Sequence, residues 1–285
     1  MPPRSRPTAR QVRLGTELRR LREAAGMSAS EVGDFLGGGH PQISNLEAGR
    51  YGVSEERLRT LATHYSCDDA ALVDAMCAMA VTVRGKKGWW EEYRGALAPG
   101  LLDLADLEHH AAALRAYHVS HIPGLFQTED HMRAIFAYST PPLPPDTLEV
   151  RVEHRRRRSA ILTEEPAREY EAIVHEAALR MRFGGRKVAR AQLRHILELS
   201  DRWNVTVRVV PFEANGFAGA GTSITYLEGA VRELDTVQLD SEHRSILVDA
   251  QAQLKRYRKL LDRMRDTSLA AEESRDFIHR LVCEI

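Results

Sequence analysis

The clearest indication of chemistry comes from polar side chains placed around two apolar positions. Ile43 and Leu46 lie three residues apart, a spacing that buries one face of a short helix. The positions left outside that face carry groups that donate and accept hydrogen bonds; they are His40, Gln42, Ser44 and Asn45. Such groups match the base edges of the DNA major groove, so the pattern predicts a base-reading helix. The alternative is a helical hairpin that packs for stability alone.

The residues on either side carry start and stop signals for two short helices. Ser28 stands at an N-cap position with Glu31 three residues later, which predicts a capping box and a first helix. The glycine run 37–39 predicts a soft turn into the second helix, and Pro41 suits the first turn of that helix. Gly49 predicts the end of the second helix, because glycine adopts the left-handed conformation without penalty.

This ordered set of signals resembles the Xre/Cro-type helix-turn-helix of bacterial repressors. Its marks are Leu18 and Leu21 before Gly26, the helix after Ser28, and the Ile-Ser-x-Leu-Glu-x-Gly-Arg run that ends at Arg50. Ala29 departs from the pattern, since many relatives carry there a glutamine that touches a phosphate. The resemblance implies base contacts from His40, Gln42 and Asn45. It also implies contacts to the DNA backbone, and the residues expected to make them are Ser28, Ser44, Arg50 and Arg13.

Charge is balanced over the whole chain but uneven along it. The 285 residues include 40 basic and 40 acidic side chains, which exclude a global basic field. Residues 1–25 are locally basic, with Glu17 and Glu23 set against a larger number of arginines, namely Arg4, Arg6, Arg10, Arg13, Arg19, Arg20 and Arg22. This segment predicts a basic patch that attracts phosphates and makes binding depend on salt. A disordered, solubilising tail is the alternative for residues 1–9.

The chain after residue 88 carries a second ordered set of motifs. They are Gly88-Trp89-Trp90, Leu101-Leu102-Asp103-Leu104, His121-Ile122-Pro123-Gly124-Leu125-Phe126-Gln127-Thr128, Glu176-Ala177-Ala178-Leu179-Arg180, Asn204-Val205-Thr206-Val207 and Val210-Pro211-Phe212. The set resembles the domain that follows the helix-turn-helix in WhiJ-like, antitoxin-like Xre regulators of actinobacteria. Relatives in that group are commonly encoded beside a small protein thought to be their partner. The resemblance points to a partner or signal site formed by Trp89, Trp90, Phe126 and Gln127.

Length and pattern predict a multidomain chain, an all-α helix-turn-helix domain followed by a mixed α/β (α+β) domain. The expected divisions are a flexible basic tail at 1–10, a DNA-binding domain of five helices at 11–83, a linker at 84–88 and a regulatory or interaction domain at 89–285. In the last of these we expect helices at 103–119, after Thr128, after Asp146 and at 190–199, and a long amphipathic helix at 249–266. The expected strands lie at 170–175, 205–212, 223–228 and 236–239. The long helix either packs on the sheet or contacts a partner. The arginine run 155–158 is either a solvated helix face or a binding strip.

No pattern of residues supports catalysis or a cofactor. The glycine-rich segment 216–223 has no following lysine and precedes a strand, so it fails the phosphate-loop and dinucleotide patterns. His118 and His121 could hold a metal only with a carboxylate such as Asp130, and HExxH spacing is absent. We therefore predict no catalytic residue, metal or cofactor. Cys67, Cys77 and Cys283 form no paired framework and are interpreted as small hydrophobes inside helices, with a redox switch as the alternative.

The prediction for function is a sequence-specific transcriptional regulator that binds a double-stranded DNA operator as a homodimer. Its C-terminal domain would receive a signal from a small partner protein encoded nearby. The first alternative is an antitoxin-like module that sequesters such a partner and binds DNA for autoregulation. The second is a small-molecule sensor whose pocket is lined by Trp89, Trp90, Tyr93, Phe126, Trp203 and Phe212. The sequence shows no signal peptide or long apolar segment, which predicts a cytoplasmic, nucleoid-associated protein without membrane contact.

Overall fold

The computed structural model describes residues 6–84, 88–216, 222–240 and 246–285. The chain divides into two compact units. The first comprises Met1–Glu91 with Gly229–Asp235, and the second comprises Glu92–Glu228 with Thr236–Ile285. Arg4, residues 85–87 of the expected linker and residues 217–221 of the glycine-rich segment lie outside the described residues.

The first unit is helical, and the predicted number of helices is confirmed. In chain order its helices are α1 (Ala9–Ala24), α2 (Ala29–Phe35), α3 (Gly39–Glu47), α4 (Glu55–His64) and α5 (Ala70–Arg84). Three of them begin at hydroxyl caps, because the side chains of Thr8, Ser28 and Ser54 each accept a hydrogen bond from a backbone N–H three residues later. A 3₁₀ helix at Trp89–Tyr93 follows α5.

One apolar core joins these helices. Leu18 of α1, Ile43 of α3 and Leu61 of α4 are each no more than 1% exposed within it. The segment Gly229–Asp235 contributes Leu234, which is 5% exposed in the same core. Full burial of a leucine side chain stabilises a fold by about 1.5–3 kcal/mol, so this distant segment is a structural part of the helical unit.

The second unit contains a six-stranded mixed sheet of order β3-β2-β1-β4-β5-β6. Its strands are β1 (Ala113–His118), β2 (Glu169–His175), β3 (Val205–Val210), β4 (Ile224–Glu228), β5 (Thr236–Leu239) and β6 (Ile246–Val248). β1, β2 and β3 pair in parallel, whereas β4 pairs antiparallel with both β1 and β5. The four predicted strands correspond to β2, β3, β4 and β5, and the prediction of a mixed domain is confirmed.

Helices connect the parallel strands and cover the sheet. They are α6 (Pro99–His110), α7 (Glu129–Phe136), α8 (Pro145–Ser159), α9 (Glu176–Arg180), α10 (Gly185–Leu199), α11 (Gln251–Thr267) and α12 (Ala271–Glu284). The long amphipathic helix is α11. Its Leu254, Leu261 and Met264 are buried against Tyr117 of β1 and Tyr226 of β4. Its apolar stripe therefore packs within the unit. None of the helices in the described residues combines the length and the apolar character needed to cross a bilayer.

Two local predictions for this unit were wrong. The helix expected at 103–119 ends at His110, and Ala113–His118 is instead the central strand β1. Helix α8 begins at Pro145 after Pro144, so Asp146 lies in its first turn and does not cap it. The arginine run is not a uniformly solvated face, because Arg158 is 6% exposed and its guanidinium forms two hydrogen bonds of 2.7 Å with Glu108.

Candidate nucleic-acid interface

The turn between α2 and α3 is built as the sequence predicts. The Ser28 hydroxyl accepts a hydrogen bond from the Glu31 backbone at 3.2 Å, and the Ser28 N–H donates to the Glu31 carboxylate at 2.6 Å. Gly37 and Gly39 both have φ of 70°, and Gly49 after α3 has φ of 72°. These are left-handed conformations that side chains with a Cβ rarely adopt, so glycine sets both ends of α3.

Two further glycines let the helices approach closely. A Cβ on Gly33 of α2 would lie 2.3 Å from the carbonyl carbon of Gly39, and one on Gly15 of α1 would lie 2.2 Å from the carbonyl oxygen of Glu47. Both distances are below van der Waals contact, so the backbone of α3 is in direct contact with α1 and α2. The position of α3 is therefore fixed by backbone contacts on its inner side.

A nearly buried ion pair fixes the end of α3. Arg22 of α1 donates to the Glu47 carboxylate through Nε at 2.6 Å and Nη2 at 3.0 Å, and its Nη1 donates to the Met27 carbonyl at 2.7 Å. The hydrogen bond to Glu47 raises the pKa of Arg22. Two parallel bonds between planar groups define an orientation as well as a distance. The Arg22 side chain of α1 therefore bonds both to Met27 and to Glu47, the last residue of α3.

The outer side of α3 carries the residues predicted to contact bases. His40 is exposed, and Gln42 and Asn45 are partly exposed. The Asn45 amide donates to the Pro41 carbonyl at 2.9 Å, and its oxygen accepts from Arg50 at 3.4 Å. Hydrogen-bonding side chains thus remain on the face of α3 opposite Ile43 and Leu46.

Gln42 has a conformation that its position alone does not reveal. Its side chain folds over Gly38, where an added Cβ would lie 1.6 Å from the Gln42 Oε1 atom. That oxygen is buried and has no hydrogen-bond partner among the described residues. An unpaired buried carbonyl is costly, so rotation toward a base edge would relieve it.

The residues predicted to contact the DNA backbone differ in exposure. Ser28, Ser44 and Arg50 are exposed. Arg13 is only 3% exposed, and its guanidinium donates to the Glu17 carboxylate at 3.3 Å and to the Asp235 carbonyl at 3.2 Å. These internal bonds remove Arg13 from the set of candidate phosphate contacts.

The predicted N-terminal basic patch is also reduced by internal pairing. Arg19 donates to Glu23 at 2.7 Å, Arg20 donates to Glu17 at 2.7 Å, and Arg22 is paired as described above. Arg10 is 7% exposed. The positive charge of the described part of this segment is therefore largely neutralised within the unit. Attraction of phosphates is left to exposed residues such as Arg6 and Arg50.

The four residues of the predicted signal site are divided between the two units. Trp89 and Trp90 belong to the first unit, where Trp90 is 6% exposed and the two rings meet edge to face with centroids 5.8 Å apart. Phe126 and Gln127 belong to the second unit and are 0% and 6% exposed. The wider set of predicted pocket aromatics does not share one environment either, because Trp203 is 73% exposed.

The groups that could bind metals are dispersed. Among the described residues, no three His, Cys, Asp or Glu side chains are arranged to hold a metal ion. The three cysteines are free thiols, of which Cys77 is buried, Cys67 partly buried and Cys283 exposed. Burial raises the pKa of the Cys77 thiol. The interpretation as small hydrophobes inside helices therefore fits Cys77 of α5, whereas Cys67 lies between α4 and α5 and Cys283 is exposed on α12.

Comparison with known families agrees with both units. A family model described as "Helix-turn-helix domain" matches residues 13–76, which contain α2, α3 and α4 in full. A second model, described as "Domain of unknown function (DUF5753)", matches residues 101–280, well over half of the chain. The chain belongs to the DUF5753 family. The DUF5753 match contains all six strands of the sheet. No curated protein and no solved structure matches the chain significantly.

Proposed function

We propose that this DUF5753 protein is a sequence-specific transcriptional regulator that inserts α3 into the major groove of its operator. The observation that carries the proposal is the construction of α3, whose inner side is fixed by glycine contacts and the Arg22–Glu47 pair. Its outer side is left with hydrogen-bonding side chains, which is the arrangement that direct readout needs. The match to a helix-turn-helix domain supports it.

In this proposal six residues of the unit have defined roles. His40, Gln42 and Asn45 read base edges, and Gln42 rotates away from Gly38 to do so. Ser28, Ser44 and Arg50 contact phosphates and fix the register of the protein on the duplex. We further propose a homodimer on a two-fold site and a signal from a small partner protein. The latter rests on the resemblance to WhiJ-like regulators.

The experiment that tests this function is selection from random duplex DNA with the full-length chain, followed by footprinting. We expect a two-fold motif whose half-sites lie about 10 base pairs apart, the spacing that places two recognition helices on one side of the duplex. Failure to enrich any motif would contradict sequence-specific binding. Genome-wide immunoprecipitation, with and without the neighbouring gene for the small protein, then tests the partner signal through changes in occupancy.

A further inference from the structure

A group of polar side chains gathers at one edge of the sheet in the second unit. His118 ends β1 and Asp240 directly follows β5. Both strands are antiparallel to β4, so they run in the same direction and end at the same edge. In open sheets with parallel strands, ligands bind outside the carboxyl ends of the strands. We call this group, comprising His118, His121, Gln127, His131, Arg155 and Asp240, the polar recess.

Arg155 of α8 is the cation of the recess. Its Nη1 donates to the Gln127 side-chain oxygen at 2.6 Å, and its Cζ lies 4.6 Å from the centre of the Phe136 ring. Gln127 is oriented in turn, because its amide donates to the Ile122 carbonyl at 2.7 Å. In the part of the chain that the structure describes, no carboxylate lies within ion-pair distance of Arg155. Burial, reinforced by the neighbouring Arg158, lowers the pKa of Arg155 to about 9.

Two imidazoles of the recess, those of His121 and His131, contact one aromatic ring. His121 stacks on Phe183 with centroids 5.4 Å apart, and His131 meets the same ring edge to face at 5.8 Å. His131 is 1% exposed, and neither of its ring nitrogens has a hydrogen-bond partner among the described residues. Burial lowers the pKa of His118 and His131 to about 4. Each is therefore neutral at pH 7 and offers one N–H donor and one acceptor.

We propose that the polar recess binds a small anion whose carboxylate or phosphate group sits against Arg155 and accepts hydrogen bonds from the imidazoles. A guanidinium has five N–H donors, and the Gln127 contact occupies one of them. Asp240 and Glu108 act on Arg155 electrostatically. Neither carboxylate is in ion-pair contact with it, so an anion would add the direct ion pair that Arg155 lacks among the described residues. Asp240, which accepts a hydrogen bond from Gln238, adds an acceptor and favours a ligand that carries a donor beside its anionic group.

Two chemically simple probes test the site in the full-length chain without DNA. Inorganic phosphate and glycolate each combine an anionic group with a hydroxyl donor, and sodium chloride at equal ionic strength is the control. We expect saturable binding by calorimetry for at least one probe. In a protein labelled with ¹⁵N-histidine, the ring signals of His118, His121 and His131 should move while those of His64 and His279 stay in place. Tighter binding of phosphate or of glycolate would assign the class of anion.

A matched pair of variants on one helix locates the binding. Arg155→Gln should weaken the affinity at least tenfold. Arg156→Gln should leave it unchanged, because Arg156 is exposed and paired with Glu153. The proposal fails if neither probe saturates, or if both variants bind as tightly as the unmodified chain. If Arg155→Gln does not fold, the ¹⁵N-histidine signals of the unmodified chain decide the matter. The proposal is overturned if a probe moves histidine signals outside the polar recess and not those within it. Failure here would leave the proposed DNA binding untouched, since no DNA is present.

Discussion

Arg50 and Asn45 are linked by a hydrogen bond, yet they are proposed to contribute different kinds of contact with DNA. An exposed guanidinium neutralises a phosphate wherever the protein sits on the duplex, whereas an amide fits the paired donor and acceptor of an adenine. Affinity and selectivity should therefore respond separately to changes at these two positions.

Replacing Arg50 by alanine should weaken binding to all duplexes alike, because a phosphate contact carries no sequence information. The slope of log K against log salt should fall in magnitude by about 0.9 for each phosphate that the protein no longer neutralises. The measurement is a salt series with operator and random DNA. Arg59→Ala is the control, since Arg59 is exposed on α4 and paired with Glu55 and Asp74. Equally weakened binding by the two variants would argue against a specific role for Arg50.

Replacing Gln42 or Asn45 by alanine should reduce discrimination between base pairs by about 1–3 kcal/mol for each bidentate contact. The quantity to measure is the ratio of affinities for the operator and for operators with single base changes. Asn45→Ala also removes the hydrogen bond to the Pro41 carbonyl, which could lower the stability of α3. A loss of stability weakens binding to all operators alike and leaves the ratio unchanged, so the ratio reports base readout alone. Ratios that stay constant across all base changes would rule out these two side chains as readers.

At the scale of elements, the contact between α1 and α3 depends on the absence of a side chain at Gly15. Alanine there would place its Cβ 2.2 Å from the Glu47 carbonyl oxygen, which belongs to the backbone and cannot rotate away. We expect the free energy of unfolding to fall by about 1–3 kcal/mol, the usual cost of overpacking, together with weaker DNA binding.

Gly100→Ala is the matched control for Gly15→Ala. Gly100 also lies in a helix, but a Cβ there meets nothing within 4 Å. Helix propensity alone favours alanine over glycine by up to about 1 kcal/mol at both positions. A decrease in the free energy of unfolding at Gly15 can therefore come only from the steric contact. Urea unfolding of both variants tests this. A stabilised Gly15→Ala protein would contradict the close approach.

The sequence predicted the elements whose signals are local. Ser28 with Glu31 and Thr128 cap helices as expected, because a cap depends only on residues within one turn. Strand β1 was missed because it is a central strand, in which Ala116, Tyr117 and His118 are buried in succession without the alternation of a half-exposed strand. Its alanines and leucine also favour a helix. The C-terminal helix α12 was not predicted either, because its N-cap residue, Ala270, has no hydroxyl or carboxylate to signal a helix start.

The sequence predicted which side chains of α3 are exposed, because the spacing of the apolar residues defines the buried face of the helix. The outer face of α3 followed from Ile43 and Leu46 alone. The burial of Arg13 could not be predicted in this way, because its partner Asp235 lies 222 residues away in the sequence. The Gln42 conformation is local, because the missing side chain of Gly38, four residues earlier, leaves the space that the Gln42 side chain fills. Arg155 looked like one of four equivalent arginines, and only the assembled sheet distinguishes it from Arg156.

At the scale of the whole molecule, buried imidazoles predict acid sensitivity. Burial lowers the pKa of His131 to about 4, whereas an unfolded histidine titrates near 6.5. The unfolded chain therefore binds more protons between these values, so stability is full above about pH 6.5 and decreases as the pH falls toward 4. For His131 alone the decrease at about pH 5 is about 2 kcal/mol.

His131→Leu should flatten the dependence of unfolding free energy on pH between about 7 and 5. The measurement is urea unfolding at a series of pH values, with His279→Gln as control because His279 is exposed on α12. A variant whose profile matches that of the unmodified chain would show that His131 does not contribute to acid sensitivity.

The segment Gly229–Asp235 bears on how this gene could have evolved. The helical unit includes Leu234, and Arg13 donates to the Asp235 carbonyl, although both come from the stretch between β4 and β5. A recombination event that transferred only the first 91 codons would leave behind one of the side chains that close the hydrophobic interior. The helical unit is therefore not complete within residues 1–91. If the helical unit were joined to a different downstream sequence, that sequence would have to supply an apolar side chain in place of Leu234.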